Sequence, residues 1–290
     1  MLPEQYTTYG WPANPGGFSI EFWDGRATDV VEPIYAQTTY SFGASPQVPG
    51  LLLVYPLAGT RRSRPYTFPV NDPASLSAIR WMVRTAVNDS STVDGVDLTY
   101  PEAPKWPDRE IDGYIREAIG LFNNYNRQEV IIESQVSLLR NDVLRRLSSI
   151  SAVSYYDENV QEWIRLPRFV RRIAKGVPHY WDYVDGHLRL FGHLPLDPKL
   201  EIFGEAPYPT PMNDIDPILI ERDDWDILSM YTQGRCYLRL AGQSAQLDRW
   251  KETGARNDNP IVPIARMLLS MAEQQMKDRH SARVVRRYRA

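Results

Sequence analysis

Residues 76 to 125 read LSAIRWMVRTAVNDSSTVDGVDLTYPEAPKWPDREIDGYIREAIGLFNNY, and the fold turns on how this stretch divides. Leu76, Ile79, Val83 and Val87 recur at spacings of three, four and four, which predicts a short amphipathic helix. Ile111, Ile115, Ala118, Ile119 and Phe122 predict a second one, opened by Trp106-Pro107-Asp108 after an irregular link. Neither stripe carries a nucleophile, a metal-ligand set or a phosphate loop, so the stretch reads as architecture. Asp108, Glu110 and Asp112 could be offered as an acid/base pair, but carboxylates are expected in a first helical turn for capping and dipole reasons alone.

Before this stretch, residues 1–72 read as all-β. Phe18, Ile20 and Phe22 alternate with Ser19, Glu21 and Trp23, the period of a half-buried strand, and Asp24-Gly25 supplies a hairpin-type turn. Extended runs follow at Pro33 to Phe42, Leu51 to Tyr55 and Tyr66 to Val70, the spacing of a small β-sandwich or barrel. Trp11, Trp23, Tyr35, Tyr40, Tyr55 and Tyr66 could make a ligand platform, though core packing is the favoured role. Asn71-Asp72-Pro73 ends this part, with Pro73 placed to open the first helix.

After the two helices, Gln128 to Tyr208 is β-rich. A strand is expected at Val130 to Ile132, and Leu138 to Leu147 is ambiguous between helix and strand. Ser151 to Tyr156 and Val160 to Leu166 form a hairpin around Asp157-Glu158-Asn159, and Phe169 to Ala174 resumes the sheet. Tyr180 to Val184 and His187 to Phe191 flank Asp185-Gly186, and Lys199 to Phe203 closes the sheet. Helix returns in the last third. Ile227, Leu228, Tyr231, Leu238 and Ala241 form a stripe that Gly242 should stop, and a shorter helix runs through Leu247 and Trp250. A last long helix begins near Pro260 with Ile264, Leu268, Met271 or Ala272, and Gln275 on its inner face.

Composition narrows the function classes. Apolar content of 43% and charged content of 24% are those of an ordinary folded protein. A net charge of -3 argues against a generally basic nucleic-acid binder, leaving local patches open. Cys236, the one cysteine, excludes an internal disulfide and reads as a small buried hydrophobe. No run of about 18 apolar residues or signal-peptide pattern occurs, so a chain made in a cytoplasm with no membrane span is expected. Walker, dinucleotide, H-E-x-x-H and G-x-S-x-G motifs are absent. His179, His187, His193 and His280 lack metal-ligand spacing. The expectation is no enzyme, no cofactor and no metal. Two basic segments stand out: Arg168, Arg171, Arg172 and Lys175, and the terminal Arg279, Arg283, Arg286, Arg287 and Arg289. Either could meet DNA phosphates. Val284, Val285 and Tyr288 among the terminal arginines also fit docking into a partner's groove.

The order of elements resembles the head-to-tail adaptor (connector, or neck) proteins of tailed bacteriophages. The helix ending in Val87-Asn88-Asp89, the run from Trp106 to Ile119, Trp163 to Pro167, Tyr183 to Leu190, Leu200 to Gly204, Tyr237 to Ala241 and Asp248-Arg249-Trp250 carry the likeness, over roughly residues 74–290. Residues 1–72 are a departure, because simple adaptors begin with the helix. The resemblance implies a structural virion protein at the neck: a homo-oligomeric ring, by analogy a dodecamer, beneath the portal protein. Such a ring extends the channel for packaged DNA and joins capsid to tail or neck proteins. It places Arg279 to Ala290 against the portal, and Arg168, Arg171, Arg172 and Lys175 toward the channel or the tail side. Pattern and resemblance together predict an α+β fold: a helical bundle split by an inserted antiparallel β-sheet and preceded by a small all-β domain. The expected boundaries are 1–72 for that domain, 73–127 for the first helical half, 128–210 for the β insertion, and 211–290 for the C-terminal helices and basic tail. The alternative is a virion surface protein that binds a receptor or glycan through residues 1–72.

Overall fold

The computed structural model describes residues 8–24, 28–34, 39–41, 49–58, 61–70, 73–89, 98–99, 104–139, 144–168, 179–184, 187–192, 194, 197–246 and 261–287. The chain divides into two compact units, Met1–Phe122 with Pro209–Ala290, and Asn123–Tyr208.

In the first unit, strands β1 (Thr8–Gly10), β2 (Phe18–Trp23), β3 (Thr28–Ile34), β4 (Thr39–Ser41), β5 (Gly50–Ala58), β6 (Arg61–Arg62) and β7 (Tyr66–Val70) precede helix α1 (Leu76–Ala86). β8 (Leu98–Thr99) and α2 (Asp108–Tyr125) follow. The main sheet runs β3-β2-β5-β6, with β7 also paired to β5, and β4-β1-β8 form a second, small sheet. β2 is central, so its polar face is covered as well as its apolar one: Ser19 and Glu21 are buried beneath Arg62, which bonds both. The alternation was therefore the right period with the wrong exposure. Trp81 of α1 completes the core of this sheet. It stacks on Phe68 at 5.3 Å, shares a cluster with Tyr9, Trp11, Phe18 and Ile20, and donates its indole N–H to the Thr67 carbonyl at 2.8 Å.

Local sequence explains where α1 starts and stops. Ser75, not Pro73, is the N-cap, its Oγ accepting from the Ala78 amide. At the other end Asn88 takes a left-handed backbone (φ 53°), its amide bonds Thr85 O, and the Asp89 amide bonds Arg84 O, closing a Schellman motif. Both expected stripes are buried in full.

The last helices are α3 (Trp225–Gln246) and α4 (Ile261–Arg287). α2 and α3 lie antiparallel, joined by Glu117 to Tyr231 (2.8 Å) and Arg235 (3.1 Å) and by Glu110 to Arg239. Gly242 does not end α3, which continues to Gln246, because the position is open and a helix interior tolerates it. Gly234 sets the α3–α4 contact: a Cβ there would sit 2.8 Å from Leu269 Cγ and 3.1 Å from the Ala265 carbonyl. Accordingly the inner face of α4 is Ala265, Ala272 and Met276, so of the expected residues Ala272 packs inward and Ile264 and Met271 do not. Ile264 and Met271 are 47% and 43% exposed.

The second unit is strand-built. β9 (Gln128–Gln135), β10 (Ser149–Asp157), β11 (Glu162–Leu166) and β14 (Lys199–Ala206) form an antiparallel sheet of order β11-β10-β14-β9. β12 (His179–Val184) and β13 (His187–Gly192) make a separate hairpin. β14 does not close an edge; it lies between β10 and β9. A 3-10 turn covers Val136–Leu138, and residues 140–143 of the Leu138 to Leu147 run lie outside the described residues. The strand expected at Phe169 to Ala174 lies outside them.

The fold is thus α+β with four helices among the described residues and strands in several sheets. The expected helical bundle split by one inserted sheet, behind an all-β domain, is not observed. Instead α1 turns Trp81 into the core of the first sheet, and the middle strands fall into two separate sheets.

Candidate functional site

The most concentrated chemistry in the first unit is a buried network of charges. Arg80 and Arg84, four residues apart on α1, project beside its apolar stripe and are fully buried. Asp108 and Asp112, four apart on α2, flank its stripe in the same way. Arg80 Nε and Nη2 meet Asp112 at 2.7 and 3.0 Å, and Nη2 also bonds Asp214 from the segment before α3. Its Nη1 lies 3.6 Å from Asp108. Arg84 bonds Asp89, Asp108 at 2.6 Å and the Trp106 carbonyl at 2.9 Å. Asp89 in turn accepts the Lys105 amide at 2.8 Å, and Asp214 accepts Thr67 Oγ1 at 2.9 Å. Burial alone would lower the pKa of Arg80, but Asp108, Asp112 and Asp214 outweigh it and push the pKa up, so the guanidinium stays charged.

This network explains two sequence features that the stripes left open. The Val87-Asn88-Asp89 ending turns the Asp89 carboxylate back onto Arg84. The Trp106-Pro107-Asp108 start is held by that same arginine through a carbonyl and a carboxylate. Asp108 and Asp112, which looked like ordinary helix-start residues, are counter-ions of a buried arginine pair, while Glu110 pairs with Arg239. A legible signal existed: two arginines and two aspartates, each pair at i, i+4, each bordering an apolar stripe.

Beside the network lies an open cleft of about 450 Å³, bounded by Leu53, Tyr55, Arg64, Arg109, Arg116 and Asp214 among others. Arg64 is tied to Asp112 at 3.3 Å and Asp214 at 3.6 Å. Arg116 is anchored by the carbonyls of Pro211 and Met212, both at 2.8 Å. Arg109 is exposed and makes no ion pair among the described residues. Among the described residues its polar lining is Tyr55, Arg64, Arg109, Asp112, Arg116, Asn213 and Asp214.

The other expected residues are dispersed. Arg279 lies on α4 with its Nε 3.0 Å from Asp224, a buried carboxylate, so it is engaged within the chain. Arg283, Arg286 and Arg287 continue α4, and Arg289 lies outside the described residues. Arg168 is exposed, with its guanidinium 5.4 Å from the centre of the Trp181 ring. Arg171, Arg172 and Lys175 lie outside the described residues. His179 and His187 belong to different registers of the β12–β13 hairpin, opposite Gly192 and Val184, while His193 falls outside. Among the described residues no group of three His, Cys, Asp or Glu side chains could hold a metal, and no helix is long and apolar enough to cross a membrane. Cys236 is buried in α3, where burial first and Glu110 second push its thiol up to about 12. Of the N-terminal aromatics, Trp11 belongs to the core and Tyr66 packs against it.

No known protein family matches this chain by sequence, and no curated protein matches it either.

Proposed function

We propose that this chain is a structural virion protein: a head-to-tail adaptor that forms a ring beneath the portal, extends the DNA channel and joins capsid to tail. The sequence resemblance suggests the class, and the surface of α4 is the observation that carries it furthest. One side of this helix packs on α3 through Ala265, Leu269 and Gly234. On the adjoining side Ile264, Met267 and Met271, at i, i+3 and i+7, are 47%, 54% and 43% exposed. An apolar stripe on a long helix, running into an arginine-rich end, is the form of a helix that docks into a partner's groove. The buried charge network suits the same role, since it fastens α1, α2 and the segment before α3 into one rigid block.

The test is a pull-down with the portal protein of the same virion. Deleting Arg279 to Ala290 should abolish binding, and Met267→Asp with Met271→Asp should weaken it while the melting temperature stays unchanged. Binding that survives both changes would remove the role assigned to α4.

A further inference from the structure

The four-stranded sheet of the second unit has two edges of opposite character. One is β9, eight residues long with no proline or glycine, and nothing pairs with its outer side among the described residues. Its burial alternates strictly, and Glu129, Ile131, Glu133 and Gln135 face outward, with Ile131 58% exposed. A long, flat edge with an exposed isoleucine is a template for another strand. The opposite edge is β11, where Trp163 is 37% exposed and Arg165 makes no ion pair among the described residues. Beyond it the edge is covered, because Trp181 bonds the carbonyls of Leu166 and Pro167. The open part is Glu162 to Arg165.

The register places the charges in one line. Glu133 pairs with Glu201, Glu201 with Ser154, and Ser154 with Arg165, so a single row crosses the sheet from an exposed acidic end to an exposed basic end, with Ser154 buried between them. All neighbours in the sheet are antiparallel. The β11 strand of a second copy, added to β9 in the same sense, would therefore also run antiparallel and continue the sheet. Unstaggered, that addition sets Arg165 opposite Glu133. The two-fold alternative, β9 against β9 about Ile131, sets Glu129 opposite Glu133 twice, and like charges directly opposed are destabilising. Glu133 has an existing partner, Lys199 at 3.0 Å, but both are about half exposed and such a pair contributes little.

We infer that copies of this chain join head to tail through their sheets, β9 of one against residues 162–165 of the next, with Glu133 facing Arg165. A contact of this kind uses two different surfaces of each copy, so it propagates and closes into a ring when its rotation allows. The inference rests on the ring reading above and names the contact that builds the ring.

The test uses the full chain with Glu133→Cys and Arg165→Cys under mild oxidation. Opposed positions on paired strands are within reach of a disulfide, and the native Cys236 is buried. Mixing the two single variants should give a covalent dimer that neither gives alone, and the double variant should give a ladder of higher multimers. Arg165→Glu in the double-charge background Glu133→Arg should restore an assembly that each charge change alone abolishes in sedimentation velocity. A mixture that yields no more dimer than either variant alone overturns the inference, as does cross-linking confined to Glu133→Cys with itself. Rings seen at a virion neck together with no ladder would defeat this contact and leave the adaptor reading standing. A ladder without any such ring would do the reverse.

Discussion

Replacing Arg80 by methionine should be one of the most damaging single changes in the first unit. The side chain is 1% exposed and holds Asp112 through two bonds, Asp214 through another and Asp108 at 3.6 Å. Methionine fills most of the stem's volume, so the loss is chiefly electrostatic: Asp112, itself 2% exposed and already pushed up by burial, is left without its main counter-ion. Breaking a buried pair from one side costs about 3–5 kcal/mol. Arg64, which is half exposed and 3.3 Å from Asp112, offsets part of that, which places the expected loss near the low end, about 3 kcal/mol. For a protein of this size that is a fall of roughly 6–12 °C in Tm. Urea unfolding followed by circular dichroism measures it. The double change Arg80→Met with Asp112→Leu should be less harmful than the single one, because it removes the stranded carboxylate as well. A single-variant loss under about 1 kcal/mol, or a double variant no better than the single, would refute the view that this network is a coupled unit.

Three further outcomes follow from particular contacts. Gly234→Val should lower stability by about 1–3 kcal/mol, since its side chain meets the Ala265 carbonyl of α4, and a thermal melt reads it. Cys236, pushed up to about 12 chiefly by burial, should resist a thiol reagent in the native protein at neutral pH and react fully in denaturant. Tyr114 and Tyr231 are pushed to about 12 by burial and by their bonds to Glu110 and Glu117. The folded protein therefore keeps these protons longer than the unfolded chain, and the stability they contribute, complete below pH 10, should be lost as the pH climbs toward 12. Replacing both tyrosines by phenylalanine should flatten that alkaline decline.

Much of the local structure was legible because it depends on near neighbours. The stripes of α1 and α2, and the β10–β11 and β12–β13 hairpins, all follow from residue spacing and turn residues over a few positions. What spacing does not carry is the identity of a distant partner. Trp81 looks like any aromatic on a helix until Phe68 stacks on it. Spacing leaves Met271 and Ala272 equal on α4, and Gly234, thirty-one residues before Ala265, decides which side of the helix can approach. That β14, the last strand in the chain, lies between β10 and β9 is not carried by its order in the sequence. Arg80 and Arg84 were passed over because arginines in a helix are usually at the surface. Asp89, the two aspartates on α2 and Asp214 are what compensate their burial. The row from Glu133 to Arg165 was beyond reach for a similar reason, since it needs the register of four strands at once.

The proposed ring at the junction of head and tail is tested most directly by negative-stain electron microscopy of the purified chain mixed with its portal, beside intact virions labelled with an antibody to the chain. A head-to-tail adaptor gives rings of repeated subunits seated on the portal and label confined to the neck. Monomers that leave the portal bare, with label on the capsid surface or the fibres, would contradict it.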